Sequence, residues 1–254
     1  MSELAIRSLS KSFGGVHAVA DISFTVGQGE FLAMIGPNGA GKSTCFNMIN
    51  GQIAPDSGEI RFGQKNIVGL KPRDIWRLGV GRTFQVAATF ASMTVAENVQ
   101  MALISSSRDT YRFWAAAESL HRDRALELLA QVGMRDAADR PSRELAYGDV
   151  KRVELAIALA NDPRLLLMDE PTAGMAPRER NELIALVKRL VLERGLSVLF
   201  TEHSMDVVFA FADRIIVLAR GRLIADGNAA SIRDDPKVQE VYFGSGKTFA
   251  GAAS

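Results

Sequence analysis

The first part of the chain carries short runs of strand-forming residues between turns. Leu4–Leu9, Ala20–Val26 and Glu59–Phe62 have this character, and the residues between them include Gly14-Gly15 and the segment Pro55–Gly58. Glycine, proline, aspartate and serine are typical turn residues at such positions. We therefore predict antiparallel strands at the edge of a core.

Continuous apolar runs of a different kind follow at Phe31–Ile35, Leu165–Met168, Ser197–Thr201 and Arg214–Leu218. Helical stretches separate these runs. Strands buried on both faces have such runs, and parallel strands are joined by crossover helices. The chain is therefore predicted to have an α/β fold with buried parallel strands.

The middle of the chain has mainly helical patterns. Met93–Asn161 contains almost no strand signal, and Ala115–Val132 places leucines on one helical face. We predict a single domain over residues 1–244 with an inserted helical subdomain at about 90–160. Ser105–Thr110 has the composition of a loop, and the small residues of 245–254 predict a flexible tail.

Charge and composition narrow the classes of partner. Lysine and arginine total 30 against 29 acidic residues, so no charge excess points to nucleic acid. The single cysteine excludes an internal disulfide framework, and the N-terminal sequence lacks the pattern of a signal peptide. The apolar runs are far shorter than the roughly 20 residues that span a bilayer. We expect a cytoplasmic protein that reaches a membrane only through a partner.

A phosphate-binding motif follows the first buried run. The segment Gly36–Thr44 matches G-x-x-x-x-G-K-[ST], with a predicted strand before it and a helix-compatible run after it. The backbone N–H groups of such a loop bind phosphate, while Lys42 would reach the β- and γ-phosphates and Ser43 a Mg²⁺ ion. A glycine-rich turn without a ligand is the alternative. The candidate nucleotide-binding residues are Gly36, Asn38, Gly39, Ala40, Gly41, Lys42, Ser43 and Thr44.

Two acidic residues end the second buried run. Asp169 and Glu170 directly follow Leu165–Met168, where a buried strand would deliver them to the edge of the sheet that carries the P-loop. Asp169 would help to hold Mg²⁺, and Glu170 would orient the attacking water. Acidic residues after a strand can also form a purely structural turn.

From about Leu4 to Gly244 the chain resembles the ABC ATPases. That family has an aromatic residue, a P-loop, a glutamine, a signature, paired acidic residues, a short loop and a histidine in fixed order. Their counterparts here are Phe13, Gly36–Thr44, Gln85, Leu145–Asp149, Asp169-Glu170, Pro171–Pro177 and His203.

The resemblance implies roles for three further side chains. Phe13 would stack on the adenine of ATP, although a core phenylalanine beside a turn has the same sequence signal. Gln85 would contact Mg²⁺ or the lytic water at the joint with the helical subdomain. His203 would hydrogen-bond the γ-phosphate.

The signature departs from the usual LSGGQ of the family. Here it reads LAYGD, and the resemblance implies that Ala146, Tyr147 and Gly148 contact a nucleotide bound to an opposing subunit. The missing serine hydroxyl leaves more of the anion binding to the start of the predicted helix Val150–Ala160. Ala176 also stands where many relatives have aspartate. These departures, and the C-terminal sequence, resemble the branch that imports branched-chain amino acids.

The resemblance implies an assembly as well as a reaction. One P-loop and one signature per chain imply a homo- or heterodimer with a second ABC ATPase, which would sandwich two ATP molecules with Mg²⁺. Two integral membrane permease subunits and, indirectly, a periplasmic or extracellular solute-binding protein would complete an importer. The chain would then lie peripherally at the cytoplasmic face of the inner (plasma) membrane. A soluble ABC ATPase that acts as an assembly factor is the alternative.

Overall fold

The computed structural model describes residues 2–83, 89–107 and 121–243. Within those residues the strands are β1 (Ser2–Phe13), β2 (Val16–Gly27), β3 (Phe31–Ile35), β4 (Ser57–Phe62), β5 (Lys65–Asn66), β6 (Val80–Thr83), β7 (Leu165–Asp169), β8 (Ser197–Thr201), β9 (Arg214–Ala219) and β10 (Arg222–Gly227). The helices are α1 (Lys42–Ile49), α2 (Pro72–Arg77), α3 (Val95–Ser107), α4 (Arg122–Gln131), α5 (Tyr147–Ala158), α6 (Pro177–Arg194), α7 (Met205–Phe211), α8 (Ala229–Asp234) and α9 (Pro236–Phe243). Short 3₁₀ turns occupy Arg135–Ala137 and Ser142–Glu144.

An antiparallel sheet has the strand order β2-β1-β4-β5. Strand β1 pairs with β2 through the turn at Gly14-Gly15 and with β4 on its other side. Leu4, Ile6 and Leu9 are fully or almost fully buried on one face of β1. The antiparallel strands predicted from the sequence are confirmed, and β1 and β2 extend beyond the predicted bounds.

A larger sheet has the order β10-β9-β3-β8-β7-β6. Strands β6, β7, β8, β3 and β9 pair in parallel, and β10 adds to the edge in the antiparallel direction. Every residue of β3, β7 and β8 is buried, as their apolar sequences predict. Because these strands are parallel, their carboxyl ends lie at one edge of the sheet, where the candidate site residues follow them.

Two apolar cores cover the faces of this sheet. One lies between the two sheets and includes Phe46 of α1, while the other packs helices α3 to α7 onto the opposite face. In the second core Phe31 and Phe200 stack with ring centroids 4.4 Å apart. The sheet edge that carries the site is therefore supported from both sides, as expected of an α/β fold.

The middle of the chain contains α3, α4 and α5, which pack against one another. Helix α3 continues through Ser107, so the loop predicted at Ser105–Thr110 is wrong up to that residue, and 108–110 lie outside the described residues. Ser106 Oγ donates to the carbonyl of Leu103 at 2.7 Å, which fits serine into the last helical turn. The division into a domain and an inserted subdomain stays a prediction.

Two helix starts differ from the sequence prediction. Helix α4 begins only at Arg122, after His121 in the left-handed conformation (φ 61°), and residues 115–120 lie outside the described part. Helix α5 begins at Tyr147, three residues before the predicted start at Val150. Tyr147, Gly148 and Asp149 of the signature therefore form the first turn of a helix, and Leu145 and Ala146 precede it. The predicted flexible tail, 245–254, also lies outside the described residues.

Candidate active site

The P-loop lies between β3 and α1 and approaches neighbouring backbone closely. At Gly36 (φ 155°) an added Cβ would lie 2.2 Å from the carbonyl oxygen of Leu218, and at Gly41 (φ 102°) 2.3 Å from that of Ala18. Only glycine fits either position without moving backbone. The glycine spacing of the motif thus lets the loop curl against β9 and β2.

Lys42 lies at the centre of this loop. Its side chain is largely buried, and Nζ donates to the carbonyls of Gly36 at 2.7 Å and Pro37 at 3.2 Å. Burial lowers the pKa of Lys42, and the carboxylates of Glu170 and Asp169 partly offset that effect. A phosphate bound in the loop would place further negative charge beside this ammonium and favour its charged form.

Asp169 ends β7 and is held from two sides. Thr201 Oγ1, at the end of β8, donates to Asp169 Oδ1 at 2.7 Å. Arg82 Nη2, from β6, lies 3.7 Å from Asp169 Oδ2, and Nη1 of the same side chain donates hydrogen bonds to Asn47 and Gln52. The pKa of Arg82 is lowered, chiefly by burial, while the charge of Asp169 opposes the shift. The Asp169 carboxylate is thus fixed beside the P-loop.

Glu170 has an unusual backbone conformation. Its φ of 49° lies in the left-handed region, where a non-glycine residue is strained. The N–H of Glu170 donates to Thr201 Oγ1 at 3.0 Å, and Oε1 lies 2.8 Å from His203 Nε2. The structure therefore brings the predicted water-orienting carboxylate and the predicted γ-phosphate ligand into direct contact.

Glu202 hydrogen-bonds to both segments that carry Glu170 and His203. It is 5% exposed, and Oε1 accepts hydrogen bonds from the N–H and the hydroxyl of Thr172 at 3.1 and 2.6 Å. Its Oε2 accepts from the N–H of His203 at 3.2 Å. The segment after β7 and the segment after β8 are thereby joined behind the catalytic candidates.

A pocket of about 580 Å³ lies in front of these groups. Its lining includes most of the P-loop, with Glu170, and residues that the sequence analysis did not single out for binding, namely Val16, His17, Ala18 and Arg220. These residues come from β2, the P-loop and the turn between β9 and β10, which are far apart in the sequence. No local sequence pattern predicts that they line one pocket.

Of two further residues assigned by resemblance, Phe13 is not among the described residues that line that pocket. Phe13 ends β1, pairs with Val16 and is 47% exposed, so it is not a core residue. Lys11 Nζ lies 5.4 Å from the centroid of its ring. Gln85 lies outside the described residues.

The signature residues lie at the N-terminus of α5. Ala146 is the N-cap, and Tyr147 and Gly148 open the helix. The hydroxyl of Tyr147 donates to the carbonyl of Ala173 at 3.1 Å. Among the described residues that line the P-loop pocket, none comes from α5. The signature is thus available to a nucleotide other than the one bound by its own chain.

Two side chains near the P-loop have structural roles. Burial raises the pKa of the Cys45 thiol to about 12, which suits the packed residue predicted from the sequence and not a nucleophile. Burial also raises the pKa of Tyr242 in α9, an effect that a backbone hydrogen bond from Gly36 opposes. The C-terminal helix therefore contacts the first residue of the P-loop.

The oxygen donors at this edge fit a Mg²⁺ ion that is shared with phosphate. Asp169 offers a carboxylate and Ser43 a hydroxyl, both of them ligand types that Mg²⁺ prefers. Within residues 2–83, 89–107 and 121–243 no group of three or more histidine, cysteine or acidic side chains could hold a metal alone. Phosphate oxygens and water would have to supply the other ligands, which is usual for Mg²⁺.

The sequence and the fold match known proteins. The sequence model of the family described as ABC transporter matches residues 19–173, and that of the branched-chain amino acid ATP-binding cassette transporter matches residues 222–248. The chain is 38% identical to a Salmonella typhimurium protein named as the high-affinity branched-chain amino acid transport ATP-binding protein LivG, over 95% of this chain and 97% of the relative.

Solved structures agree with the sequence matches. The ADP conformation of an ATP-binding cassette of an ABC transporter superposes with a TM-score of 0.87 at 33% identity, covering 96% of this chain and 99% of that one. A dimeric ATP-binding cassette bound to ADP and Pi superposes with a TM-score of 0.76 at 28% identity, covering 89% and 98%.

Proposed function

The chain belongs to the ABC transporter family, and from this premise we propose that it is the ATP-hydrolysing subunit of an importer for branched-chain or related amino acids. The observation that carries the proposal is the convergence of Lys42, Asp169, Glu170 and His203 at one edge of the parallel sheet. The names of the relatives support transport and do not favour a soluble assembly factor.

The geometry supports in-line attack of water on the γ-phosphate. The P-loop amides and Lys42 would bind the β- and γ-phosphates, and Glu170 would orient the attacking water. His203, 2.8 Å from Glu170, would donate a hydrogen bond to the γ-phosphate. Ser43 and Asp169, with Gln85, would hold Mg²⁺, which neutralises charge that develops on the phosphate oxygens.

A dimer is needed to complete each site in this proposal. Ala146, Tyr147 and Gly148 are not part of the P-loop pocket of their own chain. In a head-to-tail pair they would contact the nucleotide on the opposing subunit, with the N-terminus of α5 facing its phosphates. A related cassette is itself described as dimeric. The partner can be a second copy or a similar ATPase.

The remaining components lie outside this chain. In the part of the sequence that the structure describes, no helix combines the length and apolar character needed to cross a membrane. In this proposal the subunit would act at the cytoplasmic face of the membrane, docked on two permease subunits. A separate solute-binding protein would deliver the amino acid.

Hydrolysis and dimer formation test the proposal together. With Mg-ATP, Glu170→Gln is expected to bind ATP, to lose hydrolysis and to form dimers detected by size-exclusion chromatography. The matched control is Glu193→Gln, which removes an exposed carboxylate on α6 and should behave as wild type. Undiminished hydrolysis by Glu170→Gln would contradict the catalytic assignment.

Transport is tested separately from hydrolysis. Cells that express only the Glu170→Gln protein are expected to lose uptake of labelled leucine, and cells with Glu193→Gln to retain it. Unchanged leucine uptake with Glu170→Gln would contradict the proposed transport role.

A further inference from the structure

The turn between β9 and β10 contains an arginine in a strained conformation. Ala219 pairs with Arg222, and the two residues between them, Arg220 and Gly221, have φ values of 48° and 75°. Positive φ at both central residues is the geometry of a type I′ hairpin turn, which favours Asn-Gly, Asp-Gly or Gly-Gly. An arginine at the first position costs conformational energy that asparagine would largely avoid.

Backbone contacts fix this turn beside the P-loop. The N–H of Gly221 donates to the carbonyl of Ala40 at 3.1 Å, and the N–H of Ala20 donates to the carbonyl of Gly221 at 2.7 Å. An added Cβ at Gly221 would lie 2.9 Å from the carbonyl of Ala18. The turn is thus held between β2 and the P-loop. These contacts fix the position of the Arg220 backbone relative to the P-loop.

The Arg220 side chain lines the same pocket as Lys42 and Ser43. It is exposed, and it makes no hydrogen bond or ion pair with any residue in the described ranges 2–83, 89–107 and 121–243. Arg214, at the other end of β9, instead pairs with Glu30 and Asp226. A cation at the edge of an anion-binding pocket is therefore left without a protein partner among those residues.

We propose that Arg220 is a further nucleotide-binding residue, whose guanidinium contacts the phosphate chain of the nucleotide held by the P-loop. The inference rests on the proposed nucleotide site and adds a ligand that the family motifs do not include. A guanidinium offers several N–H donors in a planar fork that matches phosphate oxygens. The contact gives a function to an arginine at a position where the backbone favours other residues.

Replacement by asparagine separates this role from a structural one. Arg220→Asn removes the cation but suits the turn, so the melting temperature without nucleotide is expected to rise by about 2–4 °C. The Kd for ATP and for ADP, measured by titration calorimetry, is expected to rise about three- to tenfold, because the contact is charged but exposed. Arg220→Asn should therefore stabilise the fold and weaken nucleotide binding. If Arg220 only shaped the turn, a substitution that stabilises the turn would not weaken binding.

Arg222→Gln is the matched control. It removes the same charge two residues along the chain, from a side chain that does not line the pocket of Lys42 and Ser43 but lines a neighbouring pocket with Pro37–Ala40. Its Kd for ATP should equal that of wild type, and the defect of Arg220→Asn should shrink as NaCl is raised.

The outcomes distinguish this inference from the function on which it rests. If wild-type protein binds ATP but Arg220→Asn binds it equally well, or if Arg222→Gln is equally impaired, the inference about Arg220 is overturned. If wild-type protein binds no ATP and Lys42→Ala changes nothing, the proposed nucleotide site itself fails.

Discussion

Replacing Thr201 by valine tests whether one buried hydroxyl holds both acidic residues in place. Thr201 is fully buried at the end of β8. Its Oγ1 donates to Asp169 Oδ1 at 2.7 Å and accepts the N–H of Glu170 at 3.0 Å. Valine has nearly the same shape but neither function, so Thr201→Val removes both hydrogen bonds without leaving a large cavity.

The expected loss of stability follows from the Asp169 carboxylate and the Glu170 N–H, which both lose their hydrogen-bond partner. A hydrogen bond to a charged group contributes about 1.5–3 kcal/mol, and a neutral one about 0.5–1.5 kcal/mol. The buried methyl of valine returns about 0.8 kcal/mol. We therefore expect the free energy of unfolding to fall by about 2–3 kcal/mol. Because the Glu170 backbone is strained, its carboxylate should also shift, and kcat should fall about ten- to a hundredfold.

Denaturant unfolding and steady-state ATPase assays measure the two effects. Thr201→Ser is the control, since it keeps the hydroxyl and loses only a methyl group. We expect its free energy of unfolding to fall by about 1 kcal/mol and its kcat to change little. The reasoning is refuted if Thr201→Val unfolds at the same denaturant concentration as wild type and hydrolyses ATP at the same rate. A kcat loss of equal size in Thr201→Ser would show that methyl packing, and not the hydroxyl, positions Glu170.

Two further pairs of substitutions test the local geometry. Gly36→Ala would bring a Cβ to 2.2 Å from the carbonyl oxygen of Leu218, so we expect binding of fluorescent ATP to be lost. At Gly39 the described residues, its chain neighbours aside, place no atom within 4 Å of an added Cβ, so Gly39→Ala should keep ATP binding and lower the free energy of unfolding by about 1–2 kcal/mol. Lys151 and Glu154 form a buried ion pair at 2.9 Å. Lys151→Met leaves the Glu154 carboxylate buried without the lysine ammonium, so we expect the free energy of unfolding, measured by urea denaturation, to fall by about 3–5 kcal/mol. Adding Glu154→Gln should restore part of that loss. A Lys151→Met protein as stable as wild type would contradict that account.

Local sequence patterns predicted most of the scaffold of the site. The buried runs that became β3, β7 and β8 are continuous and apolar, and the P-loop joins the first of them to α1. Parallel pairing then places the residues after these strands at one edge. Lys42, Asp169, Glu170 and His203 meet there as expected, although their catalytic roles stay predictions.

The partners that fix these residues could not be predicted in the same way. Thr201, Glu202 and Arg82 are ordinary residues in their local patterns, and Arg82 lies in β6, which the sequence analysis did not identify. Their roles arise from contacts across 30 or more residues, such as that of Thr172 with Glu202. Only the strand order brings such groups together, and strand order is not encoded in a local pattern.

The contacts behind the site also connect it to the signature. His203 contacts Glu170, and Glu202 joins the backbone of His203 to Thr172. The next residue along the chain, Ala173, accepts the hydroxyl of Tyr147 at the start of α5. A chain of hydrogen bonds therefore connects the catalytic pair to the helix end that would bind the nucleotide of the opposing subunit. Glu202 and Thr172, at the centre of these contacts, are buried, whereas His203, Ala173 and Tyr147 are exposed. In the proposed dimer, these hydrogen bonds would join the nucleotide site of one chain to the residues that contact the nucleotide of the other, and measured coupling is what would make them a pathway.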